Sequence, residues 1–286
     1  LKTKNGSVKN TSLSNININA FNLESLYHDV DLIRQTHPLI HNITNLVVMP
    51  TTANFLLALG AAPIMAHAQE ELAEIIQLAQ ALVINIGTPD ETWLTAIKQA
   101  QLAALKRNIP IVFDPVGAGA SRYRTQASLS IIQRGIDVLR GNASEIMALL
   151  DTSIVTKGVD STQISSHALA SAQTLAEQHR CIVVISGEID FIVSATQTIA
   201  LNHGTPLLTK VIGMGCSLTA MIASFLAINP ERFNACVHAM AWMGLVSEYA
   251  EKKSSGPGSF YSQLLDSLYS IQKDDLQVFL KSTLSK

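Results

Sequence analysis

Short apolar runs alternate with longer amphipathic stretches along most of this chain, and that alternation sets its architecture. Ala81–Ile86 (ALVINI), Ile109–Phe113 and Ile182–Ile185 are almost wholly apolar, and Pro63–Ala66 and Asp137–Leu139 are shorter pieces of the same kind. Unbroken apolar strands are buried on both faces, as in a parallel sheet covered by helices. Between them the spacing of apolar positions predicts helices over Phe21–Gln35, Asn45–Leu59, Glu70–Leu78, Asp90–Arg107, Thr125–Arg134, Asn142–Leu150 and Gln163–His179. Gly60 closes the second of these, Asp90 is a natural N-cap, and His37-Pro38 breaks the first. Asp190–Ala195 and Thr198–Asn202 predict a hairpin, and from Cys216 onward the chain is nearly all helix, broken at Pro230 and at 256–259. The expectation is an α/β fold with a mostly parallel central sheet, in one domain over 21–286 after a polar, Asn- and Ser-rich disordered tail over 1–20.

In such sheets ligands bind beyond the carboxyl ends of the strands. Those ends carry Met65, Asn85 to Thr88, Asp114 to Gly119, Arg140 to Glu145, Ser186-Gly187-Glu188 and Gly213 to Cys216. The last group opens a helix in which Ser217, Thr219 and Ser224 are the only other polar side chains, so its N-terminus lies inside the protein. Unpaired N–H groups and the positive end of the macrodipole make that terminus an anion hole, and Gly213 and Gly215 let backbone come close to a ligand. Cys216 stands at its mouth, where a thiol is expected to ionise more readily. A Gly-rich helix turn with an ordinary buried cysteine explains the same stretch equally well.

Asp114 could orient a hydrated Mg²⁺, an ion that takes only one or two carboxylates; an Asp-Pro turn starter is the plain alternative. Asn142 and Glu145, three apart at a helix start, have the spacing of a capping box, yet both also face the strand-end crevice, where Arg140 adds a phosphate-binding fork. His37 and His41 are read as loop or substrate-pocket residues, not zinc ligands. Neither a Rossmann fingerprint nor a Walker A loop is present.

Composition narrows the partners. With 286 residues, 48% of them hydrophobic, the chain can bury a large core, and a net charge of −2 without a basic block argues against nucleic acid and anionic membrane. Three scattered cysteines (Cys181, Cys216, Cys236) fit a reducing cytoplasm, with Cys181 and Cys236 as packing residues, and no apolar run is long enough to span a bilayer.

HNITNLVV with Ala53-Asn54, GAAPIM, DPVGAGAS-x-x-R, RGNASE, SGEIDFI, GMGC and GPGSF, in that order from His37 to Phe260, resemble the hydroxyethylthiazole kinases. The resemblance implies a three-layer α/β/α ribokinase-like fold, a homotrimer with sites between subunits, and ATP-dependent phosphorylation of the hydroxyl of 4-methyl-5-(2-hydroxyethyl)thiazole with Mg²⁺ in thiamine biosynthesis or salvage. By matching motif, Asn45, Met65 and Gly213 would hold the thiazole, Arg140 and Ser186 would contact ATP, and Asp114 and Glu145 would serve the Mg²⁺–phosphate complex. Gly213, Gly215 and Cys216 would form the catalytic loop, with Cys216 where most ribokinase-like enzymes carry an aspartate base. Ser186 stands where threonine is usual, and Ile212 and Met214 flank Gly213 where threonine or a small residue is commoner. A dehydratase on the same fold and a non-catalytic thiazole- or nucleotide-binding protein are the alternatives.

Overall fold

The computed structural model describes residues 17–150 and 161–284. Its strands are β1 (Asn17–Ile18), β2 (Leu39–Ile43), β3 (Ala62–Met65), β4 (Ala81–Asn85), β5 (Ile111–Asp114), β6 (Val138–Asn142), β7 (Ile182–Ser186), β8 (Asp190–Val193) and β9 (Thr198–Leu201). They form one sheet in the order β1-β9-β8-β7-β6-β5-β4-β2-β3. Pairing is parallel from β3 through β7 and antiparallel at β7–β8 and β8–β9, so the expected hairpin is present. The short β1 adds to β9 in parallel, where Asn19 N–H also donates to the Ala200 carbonyl. The end of the stretch expected to be a disordered tail therefore uses an edge that β9 would otherwise leave unpaired; residues 1–16 lie outside the described residues.

The helices are α1 (Leu23–Thr36), α2 (Met49–Leu59), α3 (Leu72–Leu78), α4 (Glu91–Arg107), α5 (Arg122–Arg134), α6 (Ala143–Ala148), α7 (Ser161–His179), α8 (Met214–Ile228), α9 (Arg232–Glu251), α10 (Pro257–Ser270) and α11 (Lys273–Leu284). Two apolar cores separate them into layers. One gathers α1, α2, α8, α9 and α10 on the face carrying Ile40, Val83, Val112, Val138 and Val184. The other gathers α3 to α7 on the face carrying Ile43, Leu82, Ile84, Phe113 and Val183. Successive residues of a strand thus feed opposite layers, which is why these strands read as unbroken apolar runs. Among the described residues no helix is long and apolar enough to cross a membrane.

Several boundaries move for local reasons that bear on the site. Helix α2 begins at Met49, not Asn45: Asn45 Oδ1 accepts the N–H of Val47 in a local turn, and Pro50 then suits the first helical turn. Asn45 is left on a loop at the end of β2. Pro63–Ala66, expected as a buried strand, is the half-buried edge strand β3, a place where proline is tolerated. Strand β6 runs on to Asn142, whose side chain then caps α6. Helix α8 starts two residues earlier than expected, at Met214, because Gly213 takes φ 84° and serves as its N-cap. Cys216 consequently lies inside the first turn of α8, two residues beyond its start.

Candidate active site

Adjacent strand ends deliver the polar residues side by side. Asn85 pairs with Asp114 across β4 and β5, and Asn142 pairs with Ser186 across β6 and β7. Helix α8 packs on β4 and β5, which brings its N-terminus over these ends. Asp114, 1% exposed, is the centre of the arrangement. Its Oδ2 accepts from Thr219 Oγ1 at 2.8 Å and from Asn85 Nδ2 at 3.1 Å, and Arg140 Nη1 lies 3.5 Å away. Its Oδ1 is buried without a hydrogen-bond partner. Burial pushes this carboxyl up to about 6; the Arg140 guanidinium and the Thr219 hydroxyl hold it down, and Glu145 pushes it further up.

Arg140 and Ser186, both expected to contact ATP, lie side by side, with Nη2 donating to the serine hydroxyl. The guanidinium is buried, lies against the first turn of α8 and faces Asp114. A Cβ on Gly215 would stand 2.7 Å from Arg140 Nη1. The glycine therefore makes room for the arginine, where the sequence suggested only room for a ligand. Gly213 has a separate reason: its positive φ, with Val48 Cγ1 3.1 Å from where a Cβ would stand.

The capping box is present. Asn142 Oδ1 accepts the Glu145 N–H, and Glu145 Oε2 accepts the Asn142 N–H at 2.9 Å. Glu145 also reaches across the crevice, where Oε1 accepts the Gly117 N–H at 3.0 Å. One carboxylate thus ties the α6 N-terminus to the loop after Asp114: the capping reading is borne out, and Glu145, through its second oxygen, also reaches the crevice. Arg124 ties that loop to the one after β4, donating to the carbonyls of Val116 on the first and of Ile86 and Gly87 on the second at 2.8 Å each. Glutamine at 145 can keep only one of the two backbone N–H groups, and an unpaired N–H costs about 1–3 kcal/mol. The expected result for Glu145→Gln is a modest fall in Tm and a loss of turnover of about tenfold or more. Wild-type kcat with only the Tm lowered would reduce Glu145 to a capping residue.

Asn45, 4% exposed, donates from Nδ2 to Asn85 Oδ1 at 2.9 Å and to Cys216 Sγ at 3.6 Å. Cys216 is half-buried, and its thiol is not activated. Burial and then the nearby Asp114 carboxylate push it up to about 11, against smaller opposing effects from Asn85, Arg140 and Asn45. The helix terminus was expected to lower it; removal from water beside the Asp114 carboxylate pushes the other way. Cys181 and Cys236 are buried in the cores, as expected. Met65 stands at the end of edge strand β3, opposite Asn42 and three strands from Asp114, so within one chain it is set apart from the Asp114–Cys216 cluster.

The histidines divide: His37 lies in the short loop between α1 and β2, as expected, whereas His41 is a strand residue. His41 is fully buried in β2 with Nε2 bonded to the Ala66 carbonyl, and burial lowers its pKa. His37 is the left-handed C-cap of α1. Among the described residues no group of three or more His, Cys, Asp or Glu side chains could hold a metal ion. A Mg²⁺–phosphate complex asks less of the protein, one or two carboxylates with waters and phosphate oxygens completing the shell. The unpartnered Oδ1 of Asp114, with Glu145 nearby, fits that requirement.

Asn85, Thr219 and Arg124 were noticed in the sequence, as a strand end, a polar position in a buried helix and the arginine of DPVGAGAS-x-x-R, but none was given a role. An asparagine ending a wholly buried strand and a threonine inside a wholly buried helix are the signals that could have given the first two one.

The family model described as the hydroxyethylthiazole kinase family matches residues 30–274. A hydroxyethylthiazole kinase from Syntrophus aciditrophicus (strain SB) is 46% identical over 255 residues, covering 88% of this chain and 94% of the relative. The solved structure of a hydroxyethylthiazole kinase protein from Pyrococcus horikoshii OT3 superposes with a TM-score of 0.82 at 40% identity, covering 89% and 96% of the two chains. A ribokinase-like superfamily protein from Enterococcus faecalis V583, 15% identical with a TM-score of 0.63 over 91% and 98%, shares the fold alone. Family match, close relatives and the three-layer α/β/α architecture agree, and the chain belongs to the hydroxyethylthiazole kinase family.

Proposed function

We propose that this chain transfers the γ-phosphoryl group of ATP to the hydroxyl of 4-methyl-5-(2-hydroxyethyl)thiazole, a step of thiamine biosynthesis and salvage. The observation that carries the reading is the meeting of the buried Asp114 carboxylate, the Arg140 guanidinium and the N-terminus of α8 at one crevice, in a member of this family. Arg140 and Ser186 are the ATP contacts. Asp114 and Glu145 are the residues that would hold Mg²⁺, which when bound neutralises phosphate charge and orients the phosphates. Asn45, Met65 and Gly213 receive the thiazole, and 21–286 acts as one catalytic domain. The three free thiols fit a reducing cytoplasm.

Phosphoryl transfer through a loose transition state needs positioning and charge stabilisation more than a strong base. The N–H groups of the first turn of α8 point at the transferring group and stabilise its charge. The bond from the alcohol oxygen to phosphorus forms as the bond to the β-phosphate oxygen breaks, and ADP leaves with that electron pair. A thiol held near 11 enters as S–H. Cys216 therefore orients the hydroxyl, and the alcohol proton departs on an oxygen of the transferred phosphoryl group. A coupled ADP-release assay with product identification tests the function. Thiazole-dependent ADP formation yielding the phosphate ester is expected; saturable thiazole binding without ADP release would overturn it.

The homotrimer implied by the family resemblance is supported by the surface beside the site. Leu46, Val47 and Ile212 are 63%, 56% and 66% exposed, more than isolated apolar side chains near a crevice require. A second subunit covering this corner would bring its own residues to the thiazole and give Met65 a site to line. Light scattering at micromolar concentration is expected to give three times the chain mass. A fully active monomer would remove the reason to place Met65 in the thiazole site.

A further inference from the structure

Asn85 touches neither end of the site alone; it joins them. Its Nδ2 donates to Asp114 Oδ2 at 3.1 Å, and its Oδ1 accepts from Asn45 Nδ2 at 2.9 Å and from the Gly87 N–H at 2.9 Å. Asn45 in turn spends its second Nδ2 hydrogen on Cys216 Sγ at 3.6 Å, and its Oδ1 accepts the Val47 N–H at 3.1 Å. All three polar side chains of the chain Asp114–Asn85–Asn45 are at least 95% buried, with relative exposures of 1%, 1% and 4%. The space is also closed sterically: a Cβ on Gly87 would stand 2.6 Å from Asn45 Nδ2.

A carboxylate can only accept, whereas an amide has one accepting and one donating end. Asp114 and the Gly87 N–H together set which way Asn85 faces, and Asn85 and the Val47 N–H together set which way Asn45 faces. The outcome at the far end is that Cys216 Sγ receives a hydrogen bond, leaving its own S–H proton free to turn toward the crevice. Flipping either amide would set oxygen against oxygen inside a buried network, at about 1–3 kcal/mol for each unsatisfied group.

We infer that Asn85 is a positioning residue that transmits the hydrogen-bond polarity of Asp114 to the acceptor end of the site, holding Asn45 as a donor and Cys216 Sγ as an acceptor. This deepens the thiazole kinase reading and rests on it. The two ends of Asn85 can be cut separately. Asn85→Asp keeps the oxygen that faces Asn45 but replaces the donor facing Asp114 with a second acceptor. Asn85→Leu removes both ends at nearly constant volume.

The test measures the Kd of 4-methyl-5-(2-hydroxyethyl)thiazole by calorimetry without ATP or metal, together with kcat and Tm. For Asn85→Asp the expected result is a thiazole Kd within about twofold of wild type and a kcat lowered about tenfold or more. For Asn85→Leu both should fail, with Kd weakened about tenfold. Adding Asn85→Leu to Asn45→Ala should weaken Kd by clearly less than the two single changes summed, because both residues belong to one hydrogen-bond network. A folded Asn85→Leu with wild-type Kd, or an Asn85→Asp with wild-type kcat, would overturn the inference. If Asn85→Leu does not fold, Asn85→Asp decides by its thiazole Kd: a wild-type Kd is expected because the oxygen facing Asn45 is kept, and a Kd weakened about tenfold would overturn the inference. Failure of the wild-type protein to bind the thiazole would count against the function itself, a result distinct from equal binding by wild type and variant.

Discussion

Asp114→Asn is expected to lower kcat about a hundredfold or more, roughly 2.7 kcal/mol of transition-state stabilisation, while Tm stays within a few degrees. The residue is buried at the meeting point of Thr219, Asn85 and Arg140, and asparagine can still accept from the threonine. What it cannot supply is the negative charge that would hold Mg²⁺ or face Arg140. The pH dependence has a definite sign. Burial raises this carboxyl to about 6, so protons compete for it below that pH. The Mg²⁺ concentration needed for half-maximal rate should be flat above about pH 6 and rise up to about tenfold per unit below it. Asp114→Asn should abolish that dependence. A variant that turns over normally, with an unchanged Mg²⁺ profile, would leave Asp114 as a turn residue and remove the proposed metal site.

Cys216→Ala should cut turnover about tenfold or more while ATP still binds, because the first-turn N–H groups of α8 remain. Cys216→Asp should retain turnover, since the introduced carboxylate stands at the same first turn and can take the alcohol proton that the thiol leaves to the phosphoryl group. That carboxylate would sit near Asp114 and be pushed up in pKa, so its activity should fall toward acid pH more steeply than that of wild type. Iodoacetamide should label Cys216 before Cys181 or Cys236, since only Cys216 is partly exposed. Labelling should nevertheless be slow, because burial holds the thiol at about 11, and the thiazole with Mg-ATP should protect it. Equal labelling of all three cysteines, with a wild-type rate for Cys216→Ala, would make Cys216 a packing residue.

Much of the site was legible because strand ends in an α/β sheet are a place that sequence can find. Asp114 follows Ile111–Phe113, Ser186 follows Ile182–Ile185, and the register then sets Asp114 beside Asn85 and Ser186 beside Asn142. The capping box was legible for a similar reason: its hydrogen bonds span three residues, and local spacing determines them. Helix α8 was visible from its apolar run, although its start was misplaced because the conformation of Gly213 belongs to the loop it closes.

By itself, the sequence determined the alternation of strands and helices, the two-sided burial of the sheet, the family, and the residue types waiting at each strand end. All of these are short-range, set by periodicity and by motifs in order. The tertiary structure alone decided what those residues do to one another. Arg140 fills the space beside Gly215, Glu145 reaches the Gly117 N–H, and Thr219 donates to a carboxylate 105 residues away in the chain. It also decided the state of Cys216, whose helix position predicts a lowered pKa and whose surroundings raise it. The physical reason is that desolvation and charge proximity depend on distances between elements remote in sequence, whereas propensity, capping and hydrophobic period depend on neighbours along the chain.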